Sequence, residues 1–186
     1  MTLNEKVVLE ANDVERTLRR IAHEIVEKNP DISELVVVGI HTGGVHLAGR
    51  LAAMIGGLTG STPPLGEIDI SFYRDDIGIR GPDYQPVVHA TRLDFPLENR
   101  TVVLVDDVLF TGRTVRAAIE TLFDFGRPGR LQLAVLCDRG HREVPIRPDY
   151  VGKNLPTSRS EQVSVRLKEA DGEDGVAILS PVEVVE

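Results

Sequence analysis

The stretch VVLVDDVLFTGRT, residues 102–114, decides the fold. Its first four residues are apolar, the pattern of a strand buried on both faces in a parallel sheet. Asp106 and Asp107 follow at the carboxyl end of that strand. Thr111-Gly112-Arg113-Thr114 then turns into a helix predicted over residues 115–125, closed by Gly126 and Pro128. Two further continuous apolar runs, residues 35–39 (LVVVG) and 131–137 (LQLAVLC), predict two more buried strands. The first of these passes through Ile40-His41-Thr42-Gly43-Gly44 into a helix over 45–55.

Upstream, Val14, Leu18, Ile21, Ala22 and Ile25 recur at helical spacing, with Asn12 and Glu15 as the capping pair and Asn29-Pro30 as the stop. Residues 56–66 read as a loop, and 67–73 as a strand with one wetter face. Residues 74–86 lack any period and read as a lid-type loop, with a return strand over 87–93. Beyond Cys137 come loops and short strands at 163–167 and 176–179. Buried strands alternating with helices predict an α/β fold in one domain, residues 1–186, around a mainly parallel twisted central sheet flanked by helices.

Composition narrows the function. The chain has 186 residues, 41% hydrophobic and 27% charged, as expected of a globular domain. Its net charge of -8 excludes a uniformly basic nucleic-acid coat, though not a local basic face. A single cysteine excludes an intramolecular disulfide and a cysteine zinc cluster. No apolar run is long enough for a membrane span, and residues 1–10 lack the blocks of a signal peptide, so a cytoplasmic location is expected. The five histidines have no metal-site spacing. His41 and His46 flank Gly43-Gly44 and could reach an anionic ligand there, with loop-surface residues the favoured reading, and Cys137 reads as core packing.

The acidic pair and the turn after it carry the chemistry. Ligands of open parallel sheets bind at the carboxyl ends of the strands. A helix N-terminus presents backbone N–H groups and positive dipole to a phosphate. Gly112 lets the backbone approach, and the hydroxyls of Thr111 and Thr114 add donors. A sugar phosphate meets both halves: phosphate in the turn, vicinal hydroxyls on the carboxylates. A Walker-type nucleotide site is the competing reading, but the Gly39–Gly44 segment lacks its lysine. A plain helix-start cap is another.

The segment resembles the 5-phosphoribosyl diphosphate (PRPP) signature of type I phosphoribosyltransferases. The chain as a whole is similar to their PyrR family, which couples pyrimidine-operon attenuation to uracil phosphoribosyltransferase activity. The likeness runs through residues 20–27 (RIAHEIVE), 67–76 (EIDISFYRDD), 105–117 (VDDVLFTGRTVRA) and 133–161 (LAVLCDRGHREVPIRPDYVGKNLPTSRSE). It implies a type I phosphoribosyltransferase-like fold with a small hood, drawn mainly from 138–180, and a flexible loop at 74–86. It implies the reaction uracil plus PRPP to UMP plus diphosphate, with Mg²⁺ held through substrate oxygens and waters rather than a dedicated protein ligand set.

By the resemblance, Asp106, Asp107 and Arg139 are the catalytic residues. Thr42, Gly43, Val108, Leu109, Phe110, Thr111, Gly112, Arg113, Thr114 and Val163 join them in holding PRPP or UMP. The family usually has Thr-Arg-Gly where this chain has Thr42-Gly43-Gly44. Loss of such a donor costs roughly 10²–10³ in rate, so a nucleotide-sensing regulator with weak or no catalysis is the alternative. A purine phosphoribosyltransferase shares the signature and is a third reading.

The resemblance also implies RNA binding, by Arg19, Arg20, His23, His141, Arg142, Arg147, Lys153 and Thr157, to a hairpin in the leader of pyrimidine-operon mRNA. UMP or UTP would act as effector. Residues 139–159 carry five basic side chains against two acidic ones, so the local balance is positive despite the net charge. A homodimer, or a larger homo-oligomer, is expected from the resemblance alone.

Overall fold

In the computed structural model the described residues are 3–71 and 89–181. The expected lid at 74–86 lies outside them, as do residues 72–73 and 87–88 of the two strands predicted beside it.

Five strands form a parallel sheet in the order β3-β2-β4-β5-β6: β2 (Leu35–Ile40), β3 (Leu65–Ile68), β4 (Thr101–Leu109), β5 (Arg130–Asp138) and β6 (Tyr150–Asn154). All of β2 is buried, and so are residues 102–106 of β4 and 132–137 of β5. The register sets Val37 opposite Val103, and Val105 opposite Ala134. Successive side chains alternate across the sheet. Val37, Val103, Val105 and Leu136 pack with Leu18, Ile25, Leu47 and Leu51 of α1 (Ala11–Lys28) and α2 (Gly43–Thr59). Val36, Val38, Val102, Leu104 and Val135 pack on the other face with Val115, Ala118 and Leu122 of α3 (Arg113–Phe125).

Chain order explains where the site falls. From β2 the chain moves outward to β3, then returns to the other flank of β2 for β4, β5 and β6. The strand order therefore reverses between β2 and β4, and a crevice opens there at the carboxyl ends. The turn after β2 and the turn after β4 both lie at that crevice.

A second, antiparallel sheet in the order β1-β8-β7 forms the hood, from β1 (Leu3–Leu9), β7 (Gln162–Arg166) and β8 (Gly175–Pro181). Between β7 and β8 lies the four-residue helix α4 (Lys168–Asp171). The hood is built differently from the expectation. Residues 3–9 supply one of its strands, while residues 150–154, within the span assigned to it, extend the parallel sheet as β6. Both strands escape a reading by period. β1 is mostly exposed and carries Glu5 and Lys6, and β6 has a single buried residue, Tyr150. β7 touches β4, which brings the hood over the carboxyl end of the sheet.

Two boundaries move as well. The N-cap of α1 is Glu10, whose N–H donates to the Asp13 carboxylate at 3.1 Å, rather than Asn12 with Glu15. Helix α2 runs on to Thr59 and stops at Gly60, which adopts φ +76°, so residues 56–59 belong to the helix and not to a loop.

Candidate active site

The phosphate turn lies at the end of β4. Gly112 adopts φ +91° and, as the N-cap of α3, has no side chain with which to cap it. A helix N-terminus of this kind suits the binding of an anion. The Thr111 hydroxyl accepts from Arg113 N–H at 3.3 Å. The turn is braced from above by residues 143–144, whose N–H groups donate to the Thr111 carbonyl at 2.9 and 3.1 Å. Arg113 Nε donates to Glu143 at 2.9 Å.

The acidic pair occupies the crevice between β2 and β4. Asp106 is buried and takes Asp107 N–H at 2.9 Å. Asp107 uses Oδ1 to accept from Val108 N–H at 2.7 Å. Its Oδ2 faces the turn after β2, where a Cβ built on Gly43 would stand 2.4 Å away. One carboxylate thus reaches from the end of β4 to the Thr42-Gly43-Gly44 turn. Gly44 packs as closely, since a Cβ there would meet the Val105 carbonyl at 2.2 Å. These contacts supply a local reason for glycine at both positions. The peptide bond between His41 and Thr42 is cis.

His41 does not lie on the surface as expected. Its side chain is 12% exposed. Nε2 lies 3.0 Å from the Glu67 carboxylate, and the ring stacks on His89 at 4.3 Å with 1° between planes. Nothing in the periodicity of either segment signals that stack.

Arg139 follows β5 and is buried. Its guanidinium lies over the Phe110 ring at 4.1 Å. It donates to Thr157 Oγ1 at 3.2 Å and to the carbonyls of Ser158 and Glu161 at 3.0 and 2.7 Å. Burial lowers its pKa, against the pull of Glu161. Arg139 thus ties the loop of residues 157–161 to the wall beside Phe110. Val163, half-buried on β7, packs against the core behind that loop. Val108 and Leu109 complete the strand, with Leu109 buried.

The basic residues assigned to RNA divide into two groups. On α1, Arg19, Arg20 and His23 are exposed, and Arg20 donates to the carbonyls of Val151 and Gly152 on β6 at 3.0 and 2.7 Å. That bond sets α1 beside β6, which carries the exposed Lys153. Arg147 is exposed on the loop before β6. The other group points inward. Arg142 donates to the Phe110 and Ile146 carbonyls at 2.8 and 3.0 Å and to Asp138 at 2.6 Å. His141 Nε2 lies 2.6 Å from the Thr157 carbonyl, with its ring edge-on to Phe110. Arg142, His141 and Thr157 therefore buttress the wall beside Phe110.

Cys137 is fully buried, and burial pushes its thiol up to about 12, which agrees with core packing. Among the described residues no cluster of three ligating side chains could hold a metal ion, and no helix is long and apolar enough to cross a membrane.

With this geometry in place, likeness to known proteins becomes specific. The phosphoribosyl transferase domain family matches residues 6–170. A "Bifunctional protein PyrR" of Roseiflexus sp. (strain RS-1) is 56% identical over 178 residues, covering 95% of this chain and 96% of that one. The protein of the same name from Chloroflexus aurantiacus is 57% identical over 176 residues, covering 95% and 96%. Among solved structures, a hypoxanthine phosphoribosyltransferase of Trypanosoma cruzi superposes with a TM-score of 0.71 over 95% of this chain and 97% of that one. At 19% identity this last likeness speaks for the fold alone. Matched over nearly its whole length, the chain belongs to the phosphoribosyl transferase domain family and, within it, to the bifunctional PyrR proteins.

Proposed function

We propose that the chain transfers the phosphoribosyl group of PRPP to uracil, giving UMP and pyrophosphate, and that it also binds a hairpin of pyrimidine-operon leader RNA when UMP or UTP is bound. The observation that carries the enzymatic half is the position of Asp107, on β4 just before the phosphate turn, with one oxygen held by Val108 N–H and the other against Gly43. A ligand with phosphate at one end, two hydroxyls in the middle and pyrophosphate at the other fits that span.

In this reading the 5′-phosphate sits on the N–H groups at Thr111, Gly112, Arg113 and Thr114. Asp106 and Asp107 face the ribose hydroxyls. The amides of the Thr42-Gly43-Gly44 turn take the pyrophosphate. The C1–oxygen bond to pyrophosphate breaks as a uracil ring nitrogen bonds to C1, and the nitrogen's proton leaves to solvent. Positive charge grows on the ribose in the transition state, so two adjacent carboxylates beneath the ring stabilise it where water is displaced. Holding sugar and base in line supplies the remainder. Arg139 acts on the shape of the base pocket through Phe110 and the 157–161 loop.

The donor set suits Mg²⁺: hard carboxylate oxygens at the crevice, with no cluster of three ligating side chains among the described residues. Bound with PRPP, the ion would neutralise pyrophosphate charge, and Asp106 and Asp107 would be the residues to hold it through substrate oxygens and waters.

For the RNA half, the exposed Arg19, Arg20, His23, Arg147 and Lys153 offer phosphate contacts, so binding should weaken with salt. Loop bases would supply sequence choice. A homodimer would widen the surface by pairing two copies of α1 and β6.

One assay set tests both halves: UMP formation from labelled uracil, PRPP and Mg²⁺, and gel shift of a leader hairpin with and without UMP. Turnover that Asp107→Asn lowers about 100-fold or more supports the enzyme. Hairpin affinity above a scrambled control, increased by UMP, supports the regulator. A second reading has its own observation. Gly43 leaves no room for the family's arginine unless Asp107 moves. If the wild type binds hairpin and UMP yet forms no UMP, the chain is a sensor whose catalysis lapsed with that side chain.

A further inference from the structure

The Thr42-Gly43-Gly44 turn is fixed from its inner side by close packing. A Cβ on Gly39 would stand 2.5 Å from the Val45 Cα, and one on Gly44 2.2 Å from the Val105 carbonyl. On the outer side the turn's adjoining side chain is the His41 imidazole, for which the reading above has no use. We propose that His41 is a positioning residue for the pyrophosphate-binding turn, held in one orientation by the Glu67 carboxylate and the His89 ring. The inference rests on the phosphoribosyl-transfer reading of the site.

Two constraints define the imidazole. The hydrogen bond from Nε2 to Glu67 Oε2 at 3.0 Å fixes its direction. The parallel stack on His89 at 4.3 Å fixes its plane. Together they fix both side-chain torsions, and so the Cα–Cβ direction at the residue preceding Thr42. Nδ1 is buried and has no hydrogen-bond partner among the described residues, so Glu67 and the His89 ring are what hold the imidazole.

Glu67 belongs to β3, and His89 is tied to the residue that follows that strand. Glu67 pairs with Arg92 through two backbone bonds of 2.9 and 2.8 Å. His89 donates its N–H to the Asp69 carboxylate just beyond β3, and Asp69 also accepts from Ser71 N–H at 2.8 Å. His41 N–H itself donates to the Ile68 carbonyl at 2.9 Å. The edge strand β3 thus anchors the outer side of the turn, as β4 anchors the inner side. A first contact with ligand is precise only when the residues behind it are locked in this way.

The chemistry of the ligands makes this testable. PRPP and pyrophosphate engage the turn, whereas UMP has no pyrophosphate and reports on the phosphate turn and acidic pair alone. Binding of magnesium pyrophosphate, PRPP and UMP is measured by calorimetry on the full chain, with no turnover required. His89→Ala removes the stack and is expected to weaken pyrophosphate and PRPP about tenfold, with UMP changed less than twofold. His89→Phe restores a ring and recovers most of the loss. Glu67→Gln, which keeps an acceptor, is milder than Glu67→Ala.

Equal weakening of UMP and PRPP would mean general loosening and would overturn the inference. So would no change in any ligand, or failure of the Phe variant to recover while its melting temperature matches the wild type. Should the Ala variant fail to fold, ring-proton NMR of the wild type decides. Magnesium pyrophosphate should shift the His41 and His89 signals and UMP should not; the converse pattern refutes the proposal. A wild type that binds neither UMP nor pyrophosphate overturns the phosphoribosyl-transfer reading together with this one. Normal wild-type binding with indifferent variants overturns this one alone.

Discussion

Arg50 is the side chain whose loss should be felt most in the attachment of the hood. It projects from α2 with only 20% of its side chain exposed. Its Nε donates to Glu169 at 2.8 Å and its Nη2 to the same carboxylate at 2.5 Å. Nη1 and Nη2 meet Asp174 at 2.8 and 2.7 Å. One guanidinium thus grips Glu169 within α4 and Asp174 immediately before β8.

Arg50→Met keeps the stem and leaves two carboxylates facing each other without a cation. Removing one partner of a fully buried pair costs roughly 3–5 kcal/mol, and an exposed pair is worth about 0–1. Glu169 is 39% exposed and Asp174 15%, so solvent screens part of the loss. An intermediate figure of about 2–3 kcal/mol follows. For a chain of this size that lowers Tm by about 5–10 °C.

The pH dependence has a definite sign. Arg50 holds the Glu169 and Asp174 carboxyls below their ordinary range. Carboxylates depressed in the folded state contribute stability that is full above the unfolded value and is lost as pH falls through the folded one. The gap between wild type and variant should therefore be complete at pH 7 and should narrow below about pH 4. Thermal melts followed by circular dichroism at pH 7 and pH 3.5 measure it. A gap under about 1 °C at pH 7, or one that persists undiminished in acid, would refute the reasoning.

Three shorter tests follow. Gly44→Ala drives a Cβ against the Val105 carbonyl, which cannot swing aside, so turnover should fall about 100-fold while stability drops about 1–3 kcal/mol; activity within threefold of wild type would contradict the packing. Cys137, with its thiol pushed up to about 12 by burial, should resist a thiol reagent at pH 8 in the native chain and react at once in denaturant. Asn29 donates to the Ile25 carbonyl, Gln132 and the Tyr150 hydroxyl at 2.8, 3.0 and 3.1 Å. Asn29→Ala should cost about 1–3 kcal/mol in urea unfolding, with PRPP affinity unchanged, because it strips partners from buried polar groups far from the crevice.

The parts of this molecule that were legible in advance are local. Strands β2, β4 and β5 show themselves as apolar runs because both their faces are buried. The phosphate turn shows itself because Gly112 and its neighbours must meet demands within a few residues. What escaped reading depends on partners distant in the chain. β1 has no period of its own, and its pairing with β8 joins Val7 to Ala177. Arg142 looks like a surface charge until its bonds to Phe110 and Asp138 are seen. The contact of Gly43 with Asp107 joins two turns some sixty residues apart, and glycine carries no pattern that would announce it. His41 was misplaced for the same reason, since its two partners come from β3 and from the segment around residue 89.

The pairing of β1 with β8 has a consequence for how the chain comes into being. A ribosome adding roughly 5–20 residues per second releases β1 long before its partner β8. For roughly 10–30 s the strand that borders the hood has nothing to pair with. The parallel sheet, complete at Asn154, can assemble in that interval without it. The nascent protein would then hold a finished phosphate turn under an open roof, and a stalled or truncated chain lacking β8 would keep the turn while losing the cover. Exposed charges along β1, Glu5 and Lys6 among them, suit a strand that must wait in water without pairing to a stranger.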